Sequence, residues 1–232
     1  MATFVLVHGA WGGAHGWRHV RRMLADAGHG VFTPSLTGIG ERVHLASPQV
    51  DLTTHVTDVV NAVIYEDLDE IVLLGFSYGG MVVTGALEHI GDRVRSLVYL
   101  DAFLPGDGQS LYSLLGVPAP GARQLGDPWL IEGPPRTYDD PAEAAFAVPR
   151  RTPHPVGCFT EPVRLSRPLE SWPFSLTYIR ATEDDGPPNP AFEAAAARTR
   201  NSPDWRYAEI ATSHLVPQNR PRELTDLLLD LP

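Results

Sequence analysis

An apolar run that ends in a glycine-flanked serine occupies residues 71–80, Ile71-Val72-Leu73-Leu74-Gly75-Phe76-Ser77-Tyr78-Gly79-Gly80. The run has the continuous hydrophobicity of a parallel strand covered on both faces, and a helical pattern begins near Met81. In this context G-x-S-x-G places its serine at a sharp, strained turn that aims the hydroxyl outward. A side chain at Gly75 or Gly79 would collide with the neighbouring strand and helix. The stretch therefore predicts that Ser77 is a nucleophile.

Similar apolar runs recur on both sides of this stretch and predict further strands. They are Phe4–Val7, Gly30–Phe32, Leu97–Leu100, Leu176–Ile179 and, more weakly, Tyr207–Ile210. Helical patterns lie between them: an apolar stripe from Val56 to Ile64 with Thr53 or Thr54 as its expected cap, and a stripe from Trp17 to Ala27 with Gly28 at its left-handed end. Further helices are predicted after Ser77, near 190–200 and after Asn219.

The alternation of short strands and amphipathic helices predicts an α/β protein with a mostly parallel, doubly wound sheet. The stretch from about 105 to 168 breaks this alternation, because it is rich in proline, glycine and short polar pieces. Its apolar residues favour a packed lid over disorder. We therefore expect residues 1–232 to form a single domain with a cap inserted at about 105–168.

Composition and charge exclude several functional classes. The 232 residues carry 18 Lys and Arg against 28 Asp and Glu, a formal net charge of -10, which disfavours nucleic acid and anionic membranes as partners. No stretch is apolar enough for a membrane helix, and the N-terminus lacks the basic start of a secretion signal. The lone cysteine, Cys158, is expected to be a buried or indifferent thiol. These features predict a cytoplasmic protein that acts on a small molecule.

A nucleophilic serine needs hydrogen-bond donors for the developing oxyanion and a general base. The backbone N–H of Tyr78, at the start of the helix, is one expected donor, and that of Ala10, in the glycine-rich loop after the first strand, is the other. The general base is expected to be His214, because the chain order of this kind of site places a histidine after the last strand. His8 is expected to orient or pack.

The carboxylate that orients His214 is expected after the preceding strand, where Glu183-Asp184-Asp185 follows Leu176–Ile179. Asp184 is the first choice, Asp185 the second and Glu183 the third. Asp101, directly after Leu97–Leu100, is the alternative outside that loop. No phosphate-binding loop and no set of residues with metal-ligand spacing appears in the sequence, so no cofactor and no metal are expected.

With these residues in place, the sequence resembles the family of plant methylesterases, including the salicylate-binding esterase, and of hydroxynitrile lyases, with their bacterial esterase relatives. The segments that carry the resemblance are 4–11, 35–42, 75–80, 97–104 and 182–184. The resemblance implies an α/β-hydrolase fold with a six-stranded sheet and a cap, cofactor independence, and often a homodimer. It maps the family's triad onto Ser77, Asp184 and His214.

The departures from the family concern the reaction and the pocket. The lyases carry a threonine where this chain has Gly9 and a lysine where it has Leu215, while the family's esterases more often have histidine where Phe76 stands. We therefore expect hydrolysis of a carboxylic ester of a small or medium apolar substrate through an acyl-enzyme. A cofactor-free lyase or cyclase, or a slow-turnover receptor, is the alternative. The expected pocket walls, besides Tyr78, flank the nucleophile or lie in the cap: Trp11, Phe103, Leu104 and Trp129.

Overall fold

The computed structural model describes residues 1–118, 126–183 and 189–231. Its main sheet has six strands, all paired in parallel, in the order β2-β1-β3-β4-β7-β8. A separate two-stranded antiparallel sheet is formed by β5 and β6. The strands are β1 (Thr3–Val7), β2 (Gly30–Phe32), β3 (Ile71–Phe76), β4 (Val94–Leu100), β5 (Leu130–Ile131), β6 (His154–Pro155), β7 (Ser175–Ala181) and β8 (Trp205–Ile210).

Helices cover both faces of the main sheet. They are α1 (Arg18–Asp26), α2 (Leu52–Tyr65), α3 (Gly79–Ile90), α4 (Leu111–Leu114), α5 (Pro141–Ala147), α6 (Gly157–Thr160), α7 (Pro190–Arg200), α8 (Val216–Asn219) and α9 (Pro221–Leu229). Two separate apolar clusters fill the space between helices and sheet: one includes α2, α3 and α7, the other α1 and α9. Among the described residues, no helix combines the length and apolar character needed to cross a bilayer.

This architecture confirms the predicted α/β class and six-stranded sheet. All six residues of β3 are buried, as expected for a strand covered on both faces. The predicted left-handed conformation of Gly28 is also confirmed, with φ of 86°. The predicted cap of α2 was wrong: Asp51 accepts from the backbone N–H of Thr54 at 2.8 Å, and the Thr54 hydroxyl belongs to the same capping box.

The sheet topology brings together the loops that follow several strands. Val7 of β1 is level with Gly75 of β3, and Phe76 of β3 is level with Leu100 of β4. Parallel strands end at one edge of a sheet. β2 lies on one side of β1 and β3 lies on the other, so the order of the strands reverses at β1. This edge is therefore the crevice where open α/β sheets place their ligands.

The segment between β4 and β7 forms the short elements α4, β5, α5, β6 and α6 instead of another strand of the main sheet. Trp11, in the loop after β1, fixes this segment to the edge of the sheet. Its indole N–H donates to the Ile131 carbonyl at 2.8 Å, and its own carbonyl accepts from the Thr152 N–H at 3.1 Å. The segment is thus held over the loops that follow the strands.

Candidate active site

Ser77 lies at the turn between β3 and α3 in a strained conformation. Its φ is 56°, a left-handed value that a residue with a side chain rarely adopts. Its backbone N–H donates to the Leu100 carbonyl at 3.1 Å, which holds the turn against β4. A Cβ at Gly75 would lie 2.6 Å from the Gly79 carbonyl oxygen, and one at Gly79 would lie 2.7 Å from the Val7 carbonyl oxygen. The prediction that glycine is needed on both sides of Ser77 is therefore confirmed.

A chain of short hydrogen bonds links Ser77 to a histidine and a carboxylate. His214 Nε2 lies 2.9 Å from Ser77 Oγ, and His214 Nδ1 lies 2.6 Å from Asp101 Oδ2. All three side chains are buried. The imidazole lies between the rings of Phe76 and Phe192, with centroid distances of 4.9 and 5.3 Å. Packing on both ring faces fixes the orientation in which one nitrogen faces the hydroxyl and the other faces the carboxylate.

Within the described residues, the carboxylate on His214 Nδ1 is Asp101, the alternative outside the loop where Asp184 was the first choice. Asp101 follows β4 directly, with φ of 39°, and its backbone N–H donates to the Ile179 carbonyl at 2.7 Å. Since Nδ1 makes one in-plane hydrogen bond, Asp101 already occupies the position that an orienting acid needs. Asp184 and Asp185 lie outside the described residues, and Glu183 donates its backbone N–H to the Thr212 carbonyl at 2.9 Å.

A buried arginine balances the charge of Asp101. Arg180 Nη1 donates to Asp101 Oδ1 at 2.5 Å, and Nη2 donates to Glu193 at 2.6 Å. Burial alone would raise the pKa of Asp101, but the hydrogen bond and charge of His214, together with the Arg180 guanidinium, hold that pKa below its ordinary value. Asp101 is therefore ionised and has one oxygen committed to Arg180 and the other to His214.

The two predicted oxyanion donors come from the residue that follows Ser77 and from the loop after β1. Ala10 lines the same cavity as Ser77, and within the described parts of the chain neither its backbone N–H nor that of Tyr78 has a hydrogen-bond acceptor. His8 supports the loop of Ala10: its Nε2 accepts from the Leu36 N–H at 3.2 Å, so its Nδ1–H donates to the Gly9 carbonyl at 2.9 Å. Burial lowers the pKa of His8 to about 4, which keeps it neutral in this orienting role.

Beneath the serine turn lies a buried polar cluster that the sequence did not indicate. The ligand atoms of His55, His154 and Cys158 lie within 4.8 Å of one another, a spacing that a metal ion could bridge. Both nitrogens of His55 already have partners, the Tyr78 hydroxyl at 2.9 Å and the Thr37 carbonyl at 2.7 Å. Burial raises the pKa of the Cys158 thiol, so Cys158 is protonated. A metal could bind only if His55 gave up a bond and the thiol lost its proton; the hydrogen bonds instead support the side chain of Tyr78.

A cavity lies over Ser77, and His214 and the loop after β1 also line it. Trp11 lines it, as expected. In the described part of the chain the other three expected walls lie elsewhere. Phe103 is 6% exposed and packs on Phe192 with a ring-centroid distance of 4.8 Å, Leu104 is buried in the same core, and Trp129 is half-buried next to β6.

Several lining residues were missed by sequence reasoning. Aromatic and aliphatic parts of the wall come from Trp17, Phe76 and Leu215, while the segment between β4 and β7 contributes Arg136, Tyr138 and Arg151. No motif surrounds these positions, and only the fold of that segment brings them to the serine. The alternation of charge along it gives no periodic pattern that could have predicted which residues face inward.

Comparison with known proteins agrees with this geometry. A model of the alpha/beta hydrolase family matches residues 4–227. The chain is 52% identical over 115 residues to a carbendazim hydrolyzing esterase of Nocardioides sp. (strain SG-4G), covering 50% of this chain and 48% of that protein. It is 32% identical over 108 residues to an alpha-hydroxynitrile lyase of Arabidopsis thaliana, covering 44% and 40%.

These alignments span less than half the length of the curated relatives. Among solved structures, an extracellular alpha/beta-hydrolase from a Paenibacillus species superposes with a TM-score of 0.81 at 25% identity, covering 99% of this chain and 98% of the other. That protein is described as sharing structural and functional homology with tobacco salicylic acid binding protein 2. The family match, the sheet and the serine turn lead to one conclusion: this chain belongs to the alpha/beta hydrolase family.

Proposed function

We propose that this protein hydrolyses carboxylic esters of small molecules through an acyl-enzyme on Ser77. The observation that supports the proposal most directly is the hydrogen-bonded series Ser77–His214–Asp101, in which Ser77 and His214 line a cavity. An oriented imidazole within 2.9 Å of a hydroxyl is what a general base needs to activate a weak nucleophile.

In the proposed first half-reaction, Ser77 Oγ attacks the ester carbonyl carbon while His214 Nε2 takes the hydroxyl proton. The backbone N–H groups of Ala10 and Tyr78 donate to the oxyanion. When the tetrahedral intermediate collapses, the C–O bond to the alcohol breaks and the leaving alkoxide takes the proton from His214. Asp101 keeps Nδ1 protonated and stabilises the imidazolium that forms between these steps.

In the second half-reaction, water replaces the alcohol. His214 accepts a proton from the water as its oxygen attacks the acyl carbon, and then returns that proton to Ser77 Oγ. The products are the carboxylic acid and the regenerated hydroxyl. No redox partner enters this balance.

The geometry at Gly9 favours ester hydrolysis over the lyase alternative. A Cβ at Gly9 would lie 2.9 Å from Ser77 Cβ and 3.3 Å from the Phe76 carbonyl oxygen. The threonine that the lyases place at this position would therefore need the serine turn to shift. The carbendazim hydrolyzing esterase, whose alignment covers half of this chain, supports the same choice of reaction.

The proposal is tested by pre-steady-state kinetics with p-nitrophenyl esters of increasing acyl length. The wild type is expected to release a burst of p-nitrophenol close to one per active site, and Ser77→Ala is expected to release none. Ser213→Ala is the matched control, because Ser213 lies beside His214 in sequence and its Oγ accepts from Asn219, not from the triad. Its burst should equal that of the wild type.

Two outcomes would contradict the proposal. Steady turnover that survives Ser77→Ala would assign the chemistry to His214 acting alone as a base, as in a lyase. Tight binding of the ester with no turnover in any variant would indicate a receptor.

A further inference from the structure

The charges in the wall of the active-site cavity are opposite in sign to those of the protein as a whole. The chain has ten more acidic than basic side chains, yet the cavity wall contains two arginines, Arg136 and Arg151. Within the described ranges, no aspartate or glutamate lines this cavity. Arg151 therefore brings positive charge into a cavity wall of an acidic protein, and such a charge attracts anions.

Arg151 is a half-buried cation in this wall, and no counter-ion for it lies in the described part of the chain. It follows a short 3-10 turn at residues 148–150, and its guanidinium makes neither an ion pair nor a side-chain hydrogen bond within the described residues. Burial lowers the pKa of Arg151, and the neighbouring charge of Arg136 lowers it further. A guanidinium remains charged in spite of such a shift, so the cavity holds a partly desolvated positive charge.

Arg151 and Trp11 both lie close to Gly133. A Cβ at Gly133 would lie 2.6 Å from Arg151 Nη2 and 2.7 Å from Trp11 Cγ. Gly133 therefore lies between the guanidinium and the indole, and only a residue without a side chain leaves room for both. Trp11 itself is fixed by its bond to the Ile131 carbonyl.

A second hydrogen-bond donor, Tyr138, lines the same cavity as Arg151. Tyr138 lines the cavity, is half-buried, and its hydroxyl has no hydrogen-bond partner among the residues described. Tyr138 and Arg151 line the same cavity and influence each other's pKa electrostatically. A guanidinium and a phenolic hydroxyl together offer the donors that a carboxylate accepts, and charge-assisted bonds of this kind are the stronger class.

We propose that Arg151 and Tyr138 bind a carboxylate of the substrate, so that the preferred ester carries a second, ionised carboxyl group. The inference rests on the proposed ester hydrolysis for the reaction, and it adds the substrate class. The aromatic residues Trp11, Trp17 and Phe76 of the same wall cover the apolar part of the ester between the two ends. An acid half-ester combines both features.

The test uses two pairs of esters that differ in one charge. The 4-nitrophenyl half-ester of adipic acid is compared with 4-nitrophenyl heptanoate, which places the carboxylate on the acyl side. The acetate ester of 3-hydroxybenzoate is compared with phenyl acetate, which places it on the alcohol side. In at least one pair the wild type is expected to favour the anionic ester in kcat/KM.

Arg151→Met keeps the apolar length of the side chain and removes the charge. The ratio of kcat/KM for the anionic over the neutral ester should fall by roughly ten- to a hundredfold, the range for a lost hydrogen bond to a charged group. Arg151→Lys should retain part of the ratio, and Tyr138→Phe should lower it less than Arg151→Met. Arg150→Met is the matched control, because the neighbouring Arg150 is exposed, donates to the Phe146 carbonyl and does not line the cavity.

A binding measurement separates this inference from the proposed function. Ser77→Ala protein is titrated calorimetrically with the methyl half-ester of adipic acid and with methyl heptanoate, with and without Arg151→Met. Preferential binding of the half-ester that disappears with Arg151→Met supports the carboxylate site even if no ester is turned over. Equal binding of both compounds, or an anion preference that survives Arg151→Met, would overturn it while leaving ester hydrolysis intact.

Discussion

Replacing Asp101 with asparagine tests which carboxylate serves His214. Asp101 accepts from His214 Nδ1 at 2.6 Å, from Arg180 at 2.5 Å and from the Ala181 N–H at 3.2 Å. An asparagine has one oxygen for these donors. If its NH2 group faces His214, Nδ1 must accept, Nε2 carries the proton and His214 can no longer take the proton of Ser77. If the NH2 group faces Arg180, two buried donors confront each other.

The expected loss in kcat is about 10⁴-fold, the size that a wrong histidine tautomer causes in serine proteases, or about 5 kcal/mol of transition-state free energy. Asp184→Asn is the matched comparison in the predicted acid loop and should keep kcat within about threefold, because Nδ1 already has its acceptor. The assay is steady-state hydrolysis of a p-nitrophenyl ester from pH 6 to 9.

The same substitution also reduces stability, because Arg180 loses one of its counter-ions inside the protein. Removing one partner of a buried ion pair costs about 3–5 kcal/mol, and the remaining bond to Glu193 places the expected loss near the lower end. For a domain of this size that corresponds to roughly 10 °C in Tm. Rates are therefore measured well below the Tm of the variant, with its folded state verified by circular dichroism. A thousandfold loss in Asp184→Asn together with a normal rate in Asp101→Asn would refute the assignment.

Three further predictions follow from buried groups. Arg180→Gln removes a guanidinium that keeps the pKa of the triad carboxylate low, so the acid limb of the kcat/KM profile should move to higher pH; an unchanged limb would contradict this. The neutral side chains of His8 and His55, with pKa lowered by burial to about 4, stabilise the fold fully above pH 6.5. Urea denaturation should show a loss of about 2 kcal/mol per histidine at pH 5, increasing as the pH falls towards 4, and His55→Gln should flatten this dependence. Gly80→Ala places a Cβ 2.1 Å from a backbone carbonyl oxygen and should cost roughly 3 kcal/mol in urea denaturation, whereas Gly12→Ala, with 3.9 Å of space, should cost less than about 1 kcal/mol.

The sequence was informative where local chemistry and chain order restrict the choice. Residues 75–79 have the pattern of a serine between glycines at a turn from a strand to a helix. His214 is the histidine that directly follows β8, where the chain order of the fold places the general base. The acid was harder to predict, because carboxylates follow both β4 and β7. The resemblance favoured Asp184. The pairing of Asp101 with Arg180 depends on two neighbouring strands of the sheet, which no local pattern reveals.

The cavity wall could not be predicted for a similar reason. The short elements between β4 and β7 have no regular periodicity, so the sequence does not indicate whether Trp129 or Arg151 faces Ser77. In the structure, the bond from Trp11 to Ile131 and the small size of Gly133 determine that arrangement. The interpretation of the segment as a distinct cap with limits near 105 and 168 stays a prediction.

The left-handed backbone of Ser77 has a consequence for attempts to engineer this protein. Adopting such a conformation costs a residue with a side chain about 1–2 kcal/mol of free energy, whereas for glycine the cost is close to zero. A library selected for heat resistance alone would therefore enrich glycine at position 77, a change that removes the proposed nucleophile. Engineering of this protein for stability therefore needs selection for turnover in every round, because glycine at position 77 would relieve the backbone strain while the proposed activity requires serine there.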